Sequence, residues 1–111
     1  MNIRIAFRGM DHSDLAEKYA NKELEKLTKY LNQDLEPLYI DLVLQADHNN
    51  THHKVELRLN GKNLHLMASR EGKDLYQEID HVVKVMGKEL KKHKGKALDK
   101  RNHPGTPKDS F

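Results

Sequence analysis

The 111-residue chain has no cysteine and no tryptophan, only three prolines and only six aromatic residues. Without cysteine there is no disulfide framework, no thiolate zinc centre and no thiol nucleophile. No apolar run approaches the roughly 20 residues that a membrane span needs. The first apolar stretch, Ile3 to Phe7, contains Arg4 and is followed by Arg8. Neither a signal peptide nor a membrane partner is expected, and cytoplasm is the expected location.

What remains is one small domain's worth of chain, 36% apolar and 33% charged, with room for a single core. Its net charge of +3 is unevenly spread. Between Lys84 and Arg101 eight basic residues face only Glu89 and Asp99, a local +6, whereas residues 1 to 83 carry a net −3. One segment therefore has the electrostatic footprint expected of a polyanion-binding protein.

Periodicity sets the expected elements. Ile3, Ile5 and Phe7 alternate with polar neighbours up to Gly9, a strand with one buried face. Asp14 and Glu17 read as a capping pair, and Ala16, Ala20, Leu24, Leu27 and Leu31 then recur at helical spacing, predicting an amphipathic helix over 14–32. Its outer face carries Lys18, Lys22, Lys26 and Lys29 among glutamates, which by itself describes a solvated surface. Pro37 forbids continuation, and Leu38, Ile40, Leu42 and Leu44 alternate as a second strand. Val55, Leu57 and Leu59 mark a third, and Asn60-Gly61 reads as a hairpin turn into a fourth near 63–70. Asp74 and Gln77 form another capping pair ahead of Leu75, Ile79, Val82, Val83, Met86 and Leu90, a second helix over about 75–94.

The resulting order, β-α-β-β-β-α, predicts an α+β two-layer sandwich: a four-stranded mixed sheet with both helices packed on one face. A right-handed crossover makes the first two strands parallel neighbours. Residues 1 to 96 are expected to form the domain, and residues 97 to 111, basic and polar with Pro104, Gly105 and Pro107, a flexible tail.

Lys84, Lys88, Lys91 and Lys92 fall on a stripe opposite the apolar one. Cations near a helix C-terminus complement its dipole, but six basic residues from Lys84 to Lys96 exceed that need. A basic helix beside a second lysine-bearing helix can track a phosphate backbone. With few aromatics to stack bases, and Tyr39 and Tyr76 in half-buried patterns, structured RNA suits the chain better than single strands. His48, His52 and His53 beside Asp47 invite a metal reading, but strand neighbours point to opposite faces and no metal-ligand spacing occurs, so no metal or other cofactor is expected. Ser13, Ser69 and Ser110 lack a nucleophile-elbow context, and Asp74, Glu78 and Asp80 lie at a helix N-terminus that favours carboxylates, so no catalytic residues are expected.

The stretch from Asn60-Gly61 through Asp74-Leu75-Tyr76, Ile79-Asp80 and Leu90-Lys91-Lys92 resembles the ribosome hibernation-promoting factors, also known as the ribosome-associated inhibitor or sigma modulation protein family. Lys22, Lys26-Leu27 and Tyr30 of the first helix match as well, and the likeness covers about residues 1 to 96. It implies a non-enzymatic protein that binds the small ribosomal subunit at the decoding region, over the mRNA and tRNA sites, and silences translation under stress or in stationary phase. Lys88 and Lys92 match basic rRNA-contacting positions of the last helix, and Lys22 and Lys26 match basic positions of the first. The family usually has a basic residue where this chain has Val85, with Lys84 beside it. The chain is expected to be a monomer off the ribosome, and ribosome pairing, which in short members of the family needs a separate modulation factor, would call on such a partner.

The expected rRNA-binding set is therefore Lys22, Lys26, Lys84, Lys88, Lys91 and Lys92. Two rivals remain. Without its first strand the order matches a double-stranded-RNA-binding domain, although those domains place basic residues where this chain has Asp74 to Glu78. A regulatory module for an acidic protein partner would use the same lysines.

Overall fold

The computed structural model of the chain describes residues 1–31, 35–47, 49 and 51–102, with side chains of the last helix described as far as His93. The elements are β1 (Asn2–Arg8), α1 (Asp14–Glu25), a 3-10 turn (Thr28–Tyr30), β2 (Tyr39–Ala46), β3 (His53–Gly61), β4 (Leu64–Gly72) and α2 (Leu75–Asn102). The strands lie in chain order, β1 parallel to β2 and the other two pairs antiparallel. This is the mixed sheet of the expected sandwich.

Because side chains alternate between the faces of a strand, the register defines two surfaces. Ile5, Leu42, Leu57 and Ala68 lie opposite one another across all four strands. They belong to the face covered by the helices, where Leu42, Leu44, Val55, Leu57 and Leu59 have no solvent exposure. The neighbouring row, Arg4, Asp41, Arg58 and Met67, faces water. There Arg4 pairs with Asp41 at 3.3 Å.

Ala16, Ala20, Leu24 and Leu27 from the first helical segment, and Leu75, Ile79, Val82, Val83, Met86 and Leu90 from α2, complete the core. Both helices follow their apolar stripes, so each presents its lysines away from the sheet.

Several boundaries differ from the sequence expectation. The cap of α1 is Ser13, whose side chain accepts a hydrogen bond from the Ala16 amide at 3.1 Å, one residue before the expected Asp14. The regular helix ends at Glu25 instead of residue 32: the amides of Lys26 and Leu27 bond three residues back, and the Thr28 hydroxyl donates to the Glu25 carbonyl at 2.8 Å. A hydroxyl that occupies a backbone carbonyl competes with the helical ladder at its last turn.

The β3–β4 turn is Lys62-Asn63, since Gly61 pairs with Leu64. Asn63 takes the left-handed conformation at φ 59°, which asparagine tolerates better than most residues. Gly61 has a different use from the one expected. A Cβ there would stand 2.8 Å from the Leu35 carbonyl oxygen, which accepts the Lys62 amide at 2.9 Å.

The second helix also outruns its apolar stripe. It continues to Asn102 instead of closing near Lys94, a length of about 42 Å against about 30 Å for a nine-residue strand. Among its described side chains, the last buried one is Leu90. Gly95 does not stop the helix, since lysine, alanine, leucine and arginine favour it on both sides and cations suit a helix C-terminus. Of the expected tail over 97–111, residues 97–102 are helical, and the rest lies outside the described residues.

Candidate nucleic-acid interface

Packed side by side on the sheet, the two helices leave a groove of about 540 Å³. Tyr19, Glu23, Lys26 and Leu27 line it from the first helical segment, Lys29 and Tyr30 from the 3-10 turn, and Asp80, Lys84, Gly87, Lys88 and Lys91 from α2. Four of the six lysines expected from sequence, Lys26, Lys84, Lys88 and Lys91, are therefore gathered here. Lys22 and Lys92 are exposed but do not line the groove.

The lysines are not equivalent. Lys26 is 2.9 Å from the carboxylate of Glu23, a side chain only 10% exposed, and that hydrogen bond holds the Lys26 pKa above its ordinary value. Lys92 stands 3.8 Å from Glu89. Among the described residues, Lys84, Lys88 and Lys91 are exposed and in no ion pair, which leaves their charges available to an incoming anion.

Tyrosine and carboxylate groups form the rest of the groove. Tyr19 donates to Asp80 Oδ1 at 2.6 Å across 61 residues of chain and meets the Tyr76 ring edge-on, centroids 5.0 Å apart. Donation to Asp80, aided by burial, pushes the Tyr19 pKa up to about 12. The bond ties α1 to α2 and fixes the Asp80 carboxylate. Lys29 Nζ lies 5.2 Å from the Tyr30 ring centroid, a cation over an aromatic face.

Sequence reading had no signal for the Tyr19–Asp80 bond, and Lys29 and Tyr30 lay outside the expected set. Their own patterns give no sign of the groove, which exists only once α1 and α2 are side by side. Tyr39, expected half-buried, is 49% exposed on the far side of the sheet.

The histidine-rich loop does not assemble a ligand set from its described residues. The Asp47 carboxylate accepts from the amides of Asn49 and Thr51 and from the Thr51 hydroxyl. His52 instead reaches Glu71 at 2.9 Å, while the buried Nδ1 of His53 has no partner among the described residues; His48 lies outside them. Ser13 is committed as a cap and Asp74 accepts the Tyr76 and Gln77 amides, as its place ahead of α2 predicts.

Residues 3–98 match the family described as Sigma 54 modulation protein / S30EA ribosomal protein. The chain belongs to this family. It is similar to the ribosome hibernation promotion factor of Lactococcus lactis, 30% identical over 95 residues that cover 83% of this chain and 50% of that protein. It is also similar to the ribosome hibernation promoting factor of Escherichia coli, 26% identical over 86% of this chain and 96% of that one. The chain thus spans half the length of the first relative and nearly all of the second. Among solved structures, the N-terminal domain of Thermus thermophilus Protein Y superposes with a TM-score of 0.71 at 26% identity, over 84% of this chain and 99% of that one. A ribosomal subunit interface protein from Coxiella burnetii shares the fold with a TM-score of 0.70 at 18% identity, over 86% of this chain and 99% of that one. Among the described residues, no helix of this family member is long and apolar enough to cross a membrane.

Proposed function

We propose that the protein is a ribosome hibernation factor: a cytoplasmic, non-enzymatic protein that binds rRNA of the small subunit at the decoding region and inhibits translation under stress or in stationary phase. The observation that carries this reading is the convergence of Lys26, Lys84, Lys88 and Lys91 on one groove between the helices. A row of cations at that spacing neutralises successive phosphates and releases their counterions. Membership of the Sigma 54 modulation protein / S30EA ribosomal protein family and the names of its relatives support the ribosome as the source of those phosphates.

Bound at the decoding region, the protein would exclude mRNA and tRNA by occupancy, with no chemical step and no cofactor. It would be a monomer off the ribosome, with a separate modulation factor assisting any pairing of ribosomes. The groove accounts for binding better than a plain duplex-RNA module does, because the start of α2, Asp74 to Glu78, carries two carboxylates and no cation.

Charge reversal of two groove lysines against two outside it tests the reading. Lys88→Glu with Lys91→Glu is expected to abolish co-sedimentation with small subunits, with the fold intact because both side chains are exposed. Lys22→Glu with Lys92→Glu is expected to weaken retention without abolishing it. Full retention of the groove double variant would refute the proposal.

A further inference from the structure

A groove built only to hold phosphates has no use for carboxylates, which repel them at close range. This one contains two. Glu23 is buried and committed to Lys26, which restrains a cation and leaves little of its carboxylate exposed. Asp80 is different: it is half-buried, lines the groove, and among the described residues is held by a single donor, the Tyr19 hydroxyl on Oδ1. Each carboxylate oxygen has two lone pairs, so an oriented acceptor with capacity to spare faces the groove.

Further along the groove, against Gly87, stands the ring of Tyr30, with Lys29 near its face. A volume of about 540 Å³ falls within the range of small-ligand pockets, and a nucleotide fits such a space. Unpaired RNA bases are commonly held on an aromatic ring with their Watson–Crick edges hydrogen-bonded.

We infer that this groove receives one unpaired guanosine of an RNA chain, its base edge on the Asp80 carboxylate, a neighbouring base against Tyr30, and flanking phosphates on Lys84, Lys88 and Lys91. The inference rests on the RNA-binding reading above and adds a base preference to it. Guanine is the base that suits a carboxylate, because its N1–H and N2–H donors are adjacent and parallel and can engage both oxygens. Adenine and cytosine place a ring-nitrogen lone pair beside their amino group, and the N3–H of uracil lies between two carbonyls. Either arrangement sets an acceptor against the carboxylate. Tyr19 acts here as a positioning residue, fixing the orientation of Asp80.

Binding of the full chain to four fluorescent uridine-rich RNA hexamers, with G, A, C or U at one internal position, tests this by anisotropy at fixed salt. The guanosine hexamer is expected to bind about fivefold more tightly than the others or better, the lower end of what one bidentate base contact contributes. Asp80→Asn, whose amide oxygen still accepts from Tyr19, is expected to erase that preference while binding the all-uridine hexamer as well as before or more tightly. Tyr19→Phe should reduce the preference with little effect on the all-uridine hexamer. GMP, but not UMP, should compete.

Equal wild-type affinity for the four hexamers would overturn the inference, as would a guanosine preference that survives in Asp80→Asn. GMP binding more tightly than the guanosine hexamer would move the ligand from RNA to a free nucleotide and overturn it as well. Small-subunit co-sedimentation of the same preparation separates the two levels. Retention without a guanosine preference rejects only the base assignment, whereas loss of both rejects the RNA-binding reading beneath it.

Discussion

Replacing Lys84, Lys88 and Lys91 with glutamine removes three exposed cations that form no ion pair among the described residues, while Lys26 stays held by Glu23. The change is electrostatic, because surface substitutions of this kind shift stability by about half a kcal/mol or less. If each lysine neutralises one phosphate, the slope of log affinity against log salt becomes shallower by about 0.7 to 0.9 per residue, or about 2 to 3 for the triple variant. Over a roughly fourfold rise in salt, wild-type affinity should therefore fall about 20- to 40-fold more than that of the variant. Titration of small subunits with labelled protein across a potassium chloride series measures both slopes. Thermal melts of the two proteins exclude unfolding as the cause of any difference. Parallel slopes would refute the assignment of these three lysines to phosphates, even if the variant bound more weakly throughout.

Other consequences follow from the fold. Leu57, fully buried and flanked across the sheet by Leu42 and Ala68, should cost about 2 to 5 kcal/mol when replaced by alanine, read from urea unfolding. A loss under about 1 kcal/mol would mean the site is less tightly packed than this. At Asn63, with φ of 59°, valine should destabilise by about 1 to 2 kcal/mol, whereas glycine should be nearly neutral, and equal melting temperatures for the two variants would contradict the turn assignment. The Thr51 amide and hydroxyl, with the other amides around Asp47, hold its carboxyl below its ordinary value. A lowered carboxyl pKa stabilises the fold above the unfolded value, about 3.9 for Asp, and the benefit is lost as pH falls through the folded value. The stability gap between wild type and Asp47→Ala should therefore be full at pH 6 and shrink below about pH 4. A gap constant from neutral to acid pH would contradict the hydrogen-bonded ring.

How much of this was legible in the sequence depends on the range of the interaction concerned. The strand alternation of Ile40, Leu42 and Leu44 and of Val55, Leu57 and Leu59 is a local pattern, and all six residues are buried as it predicts. The apolar stripes of both helices, and the Asp74 cap, are equally local. Turn chemistry misled at Asn60-Gly61 because Gly61 answers to Leu35, far away in the chain. The end of α1 depended on one hydroxyl, that of Thr28, capturing one carbonyl.

At the candidate site, α2's cationic row was readable from spacing alone, and Lys22 and Lys26 came with the family resemblance. Neither source distinguishes Lys26, restrained by Glu23, from Lys84, because that difference lies in a three-dimensional contact. The groove itself required α1 and α2 to be placed together, and so did the Tyr19–Asp80 bond that spans 61 residues.

In the proposed function, the lysine-lined groove takes the protein to the decoding region of the small subunit. The most direct measurement is co-sedimentation of the purified full chain with separated ribosomal subunits, with and without mRNA and initiator tRNA. Retention on the small subunit alone, weakening with salt and lost when mRNA and tRNA are added, is the predicted result. Retention on the large subunit, or on the small subunit with undiminished binding in the presence of both competitors, would contradict it.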